Sequence, residues 1–238
     1  MNTLKKIALL FMTIFISVVA SCSKDDTQAP LENGMANTTV SASANLFAGR
    51  SSFLEIESFL INIKEIELEF DDDNSGSNSN GNNFSDLELE GPFELFFTPQ
   101  GTTVPVANLQ IPLGDYEELE FVISRGKDSS SALYDKSVLL SGNIDGVPFL
   151  FWYTFWEKLE IDFENSQTDI TIQNNGEEIV FNFDLSVLFN NAFVDLTSAQ
   201  DGNGDGIIEI SKNDPDGNND LADRIKDLIK ENIDLLDD

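Results

Sequence analysis

From Val40 onward apolar and polar residues alternate with period two, as strands with one buried face do. Val40, Ala42, Ala44 and Leu46 alternate with Ser and Asn; Phe59, Ile61 and Ile63 then share one parity, and Ile66, Leu68 and Phe70 the other. One extra residue sends every later side chain to the opposite face, so the switch at Lys64-Glu65 predicts a β-bulge or a strand bending between two sheets. Residues 71–83 (DDDNSGSNSNGNN) are too polar to pack and read as a solvated hairpin loop. Short runs follow at 87–89, 93–97, 104–109, 116–123, 132–140, 147–156, 158–163, 168–173 and 178–185, separated by turn residues such as Gly91-Pro92 and Asp145-Gly146. Asn175-Gly176 between two such runs predicts a hairpin. So many short strands with no helical period between them predict a mainly β chain, an antiparallel β-sandwich or barrel-like sandwich.

The last segment changes period. Leu221, Ile225, Leu228, Ile229, Leu235 and Leu236 fall largely on one helical face, with Asn218 or Asn219 as N-cap and Asp220 and Asp223 in the first turn. That predicts one C-terminal amphipathic helix closing over a sheet face or an open end.

Composition narrows the function classes. The chain has 238 residues, 41% hydrophobic with 19 Phe, enough for a proper core. Its 13 Lys+Arg against 43 Asp+Glu give a net charge of −30, which argues against nucleic acid and anionic membrane surfaces as partners. A single Cys and no His exclude an internal disulfide framework, thiolate or imidazole zinc sites, and Ser-His or Cys-His nucleophile pairs.

Lys5 and Lys6 precede an apolar run over 7–20. At ~1.5 Å per residue that run is too short for ~30 Å of hydrocarbon, so it reads as a signal-peptide core. It ends in Val19-Ala20-Ser21-Cys22, which resembles the lipobox of bacterial lipoproteins. The resemblance implies cleavage before Cys22 and lipidation of its thiol, an anchor in outer-membrane lipid. Ser23-Lys24-Asp25-Asp26 resembles the surface-export signal of Bacteroidota lipoproteins, which implies the outer face of that membrane, with a periplasm-facing lipoprotein as the fallback. The expected organisation is a signal peptide (1–21), a flexible tether (22–36), a β-sandwich domain (37–190) and a loop-helix segment (191–238) packed on the same domain.

Asp201-Gly202-Asn203-Gly204-Asp205-Gly206-Ile207-Ile208-Glu209 resembles the first nine positions of an EF-hand-type calcium loop. Calcium takes many hard oxygens, and alternate spacing turns them inward: Asp201, Asn203 and Asp205 by side chain, Ile207 by its carbonyl, Glu209 at the ninth position. Gly206 makes the sharp turn and Ile208 is the aliphatic anchor. Position 12 is Lys212 instead of a carboxylate, so Asp214, Asp216 or Asp220 is left to close the site. A structural Ca²⁺ is the leading reading; the other is a metal-free run of Asx/Gly turns.

In the run 147–156, Phe149, Phe151, Tyr153 and Phe155 alternate with Leu150, Trp152, Thr154 and Trp156. If the second set is exposed, Trp152 and Trp156 form an aromatic platform for a glycan or a surface protein; if it is covered, they are core. Carboxylate pairs such as Glu117 with Glu118, or Glu157 with Glu160, could be nominated for a glycoside hydrolase, but with so many acids proximity is expected by chance. The acids on alternating strands (Glu65, Glu67, Glu69; Glu117, Glu118, Glu120) read as solvated edges. Ile111-Pro112-Leu113-Gly114-Asp115-Tyr116, an apolar-Pro-x-Gly-x-Tyr turn, resembles a feature of β-sandwich domains of unknown function in Bacteroidota lipoproteins. That resemblance implies a fold and a compartment and transfers no catalytic residues. The expectation is a non-enzymatic surface lipoprotein with a binding or accessory role, with glycan capture beside an outer-membrane uptake system, or a carboxylate-dependent hydrolase, as alternatives.

Overall fold

The computed structural model describes residues 34–46, 53–70, 86–99, 101, 103–162, 170–190 and 192–235. Cys22, the signal and export segments and the loop 71–83 lie outside the described residues. In chain order the strands are β1 (Met35–Asn45), β2 (Leu54–Phe70), β3 (Leu87–Phe97), β4 (Val104–Pro112), β5 (Gly114–Ile123), β6 (Val138–Ile144), β7 (Val147–Tyr153), β8 (Glu157–Asp162), β9 (Ile170–Ile172), β10 (Glu178–Asp184), β11 (Ile208–Ile210) and β12 (Ile233–Leu235), with helix α1 (Asn219–Glu231) between the last two.

They form a sandwich. The small sheet runs β12-β10-β1-β4; the large one runs β11-β7-β6-β2-β5-β8, with β3 also on β2 and β9 on β5. Phenylalanines from the two sheets meet in the core: Phe59 of β2 lies 5.5 Å from Phe183 of β10, and Phe121 of β5 lies 5.2 Å from Phe181. The connection from β4 to β5 is the Pro112–Tyr116 corner, where the Tyr116 hydroxyl donates back to the Pro112 carbonyl at 2.9 Å. Gly114 sits there at φ +152°, and a Cβ on it would fall 2.7 Å from the Phe70 ring.

The mainly antiparallel sandwich is as expected, with two parallel pairings within it, β1 with β10 and β7 with β11. Three other expectations need correction. Asn175-Gly176 is not a hairpin turn: β9 belongs to the large sheet and β10 to the small one. The turn docks on β1, with Gly176 N–H donating to the Asn37 carbonyl and the Asn175 side chain accepting from Asn37 N–H. The helix stops at Glu231, where the Asn232 side chain donates to the Leu228 carbonyl, and Ile233–Leu235 pair with Phe181–Phe183 instead. The acid-bearing strands are not edges either. β2 is central, β5 lies between β2 and β8, and Glu120 is buried.

The parity switch does mark a bulge. Both neighbours of β2 shift register between Ile63 and Glu65. One edge of β2 pairs with β3 along residues 59–68; the other pairs with β6 over residues 54–61 and then with β5 over 63–70. The large sheet therefore forks at the bulge. One branch is β6-β7-β11 and the other is β5-β8.

Candidate functional site

Asn62 clasps both branches at the fork. Its N–H donates to the Ser137 carbonyl ahead of β6, its carbonyl accepts from Ser124 N–H beyond β5, and its amide donates to the Ser124 carbonyl at 2.9 Å. Inward residues of β2 fill the core, so Leu60, Asn62 and Lys64 belong to the outer face of the sheet.

On that face β7 ends early. Beyond Tyr153 the buried Ser137 hydroxyl accepts from Phe155 N–H and donates to its carbonyl, replacing the ladder and turning the chain across the fork into β8. The turn leaves Trp156 65% exposed. Trp152 and Trp156 consequently do not make one platform along a strand. Trp152 is half-buried in a recess of about 300 Å³ with Tyr153, Thr154, Ser211, Lys212 and Asn213. Trp156 lines a recess of about 510 Å³ at the fork, with Lys64, Ser124, Arg125, Lys127, Thr154 and Phe155. Thr154 is common to both. The register also sets Trp152 opposite Leu139, Leu139 opposite Leu60, and Leu60 opposite Phe96, an apolar row across four strands that ends on an exposed ring.

The 201–209 loop lies against this region because β11 adds to β7, with Ile208 buried opposite Phe149. Asp201 accepts from Gly204, Asp205 and Gly206 N–H, Asn203 from Asp205 N–H, and Asp205 from Ile207 N–H. Gly204 and Gly206 take the positive φ this curl requires. Of the three closing candidates, Asp216 spans the loop: one oxygen accepts from Asn203 N–H at 3.0 Å and the other from Glu209 N–H at 2.7 Å. Asp214 turns to the N–H groups of Asp216, Gly217 and Asn218, and Asp220 is exposed in the first turn of α1. Asn218 bonds Gln200 and Glu209, locking the ends of the loop. Lys212, at position 12, pairs with Asp223.

The donor types are those calcium takes: carboxylates, an amide oxygen and a backbone carbonyl, all hard oxygen. Partial burial, then the charges of Asp205, Asp216, Asp214 and Asp201, push the Glu209 carboxyl up, so uncompensated negative charge converges there. Asp201 Oδ1 already accepts from two N–H groups, whereas Asp201 Oδ2, Asn203 Oδ1 and the oxygens of Asp205 and Asp216 accept one each and keep a second lone pair. The donor chemistry of the loop fits the ion.

The tightest carboxylate group among the described residues is elsewhere: Glu118, Glu120 and Glu160 offer oxygens all within 4.8 Å of one another. It lies on the outer face of the β5-β8 branch, where the register sets Glu88, Glu67, Glu120 and Glu160 in one cross-strand row. Burial, then bonding to Glu120 and the charges of Glu160, Glu120 and Glu69, raises Glu118 to about 8. Burial pushes Glu120 the same way, but Lys158 and the Glu118 and Glu67 carboxyls bond to it and hold it low. Glu120 is thus held toward the anion, while Glu118 and Glu67 are pushed toward the protonated form. Glu157, one of the acids nominated from the sequence, pairs with Lys230 at 2.7 Å.

Sequence reasoning named Glu118, Glu120 and Glu160 without bringing them into one group, and it did not single out the cations at the fork. Adjacent acids drew attention where cross-strand ones mattered, and Lys64 lies far in sequence from Arg125 and Lys127. No protein-family model, no curated protein and no solved structure matches the chain.

Proposed function

We propose that this is a lipid-anchored binding protein of the outer membrane, held through Cys22 and facing the exterior, that captures a carbohydrate on the outer face of its large sheet. Ca²⁺ serves as a structural ion in the segment 201–216, with Asp201, Asn203, Asp205, Glu209, Asp216 and the Ile207 carbonyl around it. That segment supplies Ser211, Lys212 and Asn213 to the wall beside Trp152, so stiffening it stiffens the binding face.

Trp156 carries the reading. An indole is seldom left 65% exposed when a core is available, and here the Ser137 clasp holds the backbone that presents it over a recess. Sugar rings stack their C–H faces on such an indole, and the adjoining Trp152 recess extends the same surface. Hydrolysis by carboxylates has less support, because Glu118, Glu120 and Glu160 line neither recess. Titrating the full-length chain with a panel of oligosaccharides, read by tryptophan fluorescence, tests the proposal. Binding that Trp156→Ala removes while leaving the melting temperature unchanged is expected. An inert panel, or a Trp156→Ala protein that unfolds, refutes it.

A further inference from the structure

The acid load makes the lining of the Trp156 recess informative. Three of the chain's 13 basic residues, Lys64, Arg125 and Lys127, come to one recess in a protein of net charge −30. The fork brings them there: Lys64 stands at the β2 bulge, while Arg125 and Lys127 follow the end of β5. Other cations are committed to acids: Lys158 to Glu120, Lys212 to Asp223, Lys226 to Asp227 and Lys230 to Glu157. Within the recess Lys64 meets Glu65 at 2.8 Å, and Arg125 meets Asp135 at a loose 3.5 Å with both side chains more than half exposed. Lys127 is exposed and has no ion-pair partner among the described residues.

Resting on the carbohydrate reading, we infer that the recess at the fork selects a saccharide bearing carboxylate or sulfate groups: Trp156 stacks on the ring, and Arg125 and Lys127, aided by Lys64, pair with the anion. Its volume of about 510 Å³ lies within the ~300–1,000 Å³ usual for small-molecule sites. The guanidinium fork matches both carboxylate and sulfate oxygens. The overall charge does not forbid an anionic ligand. Fields are screened over ~8 Å at physiological ionic strength, so acids on distant strands count little there, and the nearby Glu65 and Asp135 offset Lys64 and Arg125 while leaving Lys127 to the ligand.

The test is calorimetric titration of the full-length chain, at one physiological salt concentration, with three hexasaccharides: an oligogalacturonate, a sulfated galacto-oligosaccharide and a neutral xylo-oligosaccharide. One or both anionic probes should bind and the neutral one bind at least about fivefold more weakly, with the two anionic arms telling carboxylate from sulfate. Lys127→Gln, at an exposed position outside the core, should weaken the anionic probe by about fivefold, and Lys127→Glu by more. Equal binding of the neutral probe, or anionic binding indifferent to both Lys127 variants, overturns the anion selectivity and leaves carbohydrate capture standing. No binding of any probe overturns both.

Discussion

Replacing Glu118 by Gln should stabilise the protein, and by more at about pH 8.5 than at about pH 5. In the fold this carboxyl is partly buried, its Oε1 has no hydrogen-bond partner, and its proton bonds the Glu120 carboxylate. An acid that holds its proton to about 8 instead of the ordinary 4.5 makes stability fall as pH rises between those values. Above about 8 both folded and unfolded chains are ionised and the penalty is complete; below 4.5 both are protonated and it vanishes. Gln mimics the protonated form, since its amide N–H can donate to Glu120 as the acid did. At about 1.4 kcal/mol per tenfold in proton affinity, the ceiling is about 5 kcal/mol. Solvent at the sheet face and proton sharing with Glu67 and Glu120 reduce it to about 1–2 kcal/mol. For a domain of this size that is a gain of about 3–6 °C in melting temperature.

The assay is scanning calorimetry of wild type and Glu118→Gln at both pH values, with a chelator present so that the 201–209 loop is not a variable. Glu120→Gln is the control with the opposite sign, because it removes the anion that Lys158, Glu67 and Glu118 share. A Glu118→Gln protein less stable than wild type at high pH, or one with the wild-type pH slope, would refute the reasoning. Loss of a hydrolytic activity in that same stabilised variant would instead move Glu118 into an active site.

Two further outcomes concern the loop. With the ~0.1–1 mM affinities of extracellular calcium modules, about 5 mM Ca²⁺ should stabilise the wild type by about 1–2 kcal/mol, and Asp205→Ala should abolish the shift; calorimetry without any calcium-dependent change sinks the proposed ion. Gly202→Ala should cost about 1–3 kcal/mol and blunt the calcium response, because its methyl would lie 2.4 Å from the Asp216 carbonyl oxygen, one backbone against another; an unchanged melting temperature in the same scans would show that this contact does not hold the loop closed.

How much of this was legible follows from which interactions are local. The bulge at Lys64-Glu65 could be read because strand periodicity is two and a single insertion reverses it. The turn-rich curl at 201–209 could be read because its side chains bond N–H groups two to five residues ahead. Asn175-Gly176 misled for the same reason: the dipeptide specifies a tight turn, and its neighbours decide whether the strands on either side pair. The partner of that turn is Asn37, 138 residues away from Asn175. Leu235 fitted a helical face, yet the open edge of β10 won it for a strand.

The recess is illegible for a deeper reason. Lys64, Arg125, Lys127 and Trp156 meet because β5 and β6 share one edge of β2, and nothing near any of the four records that arrangement. Alternation alone would put Trp152 and Trp156 on one face of one strand. Ser137, whose hydroxyl holds Phe155, breaks that strand and separates them. A serine before an apolar run gives no warning of this, although it decides where the exposed indole points. The scarcity of cations does carry a signal once the fold is known: ion pairs hold six of the nine basic side chains among the described residues, so an exposed lysine without such a pair beside an exposed tryptophan is where the anion-binding proposal is most directly tested.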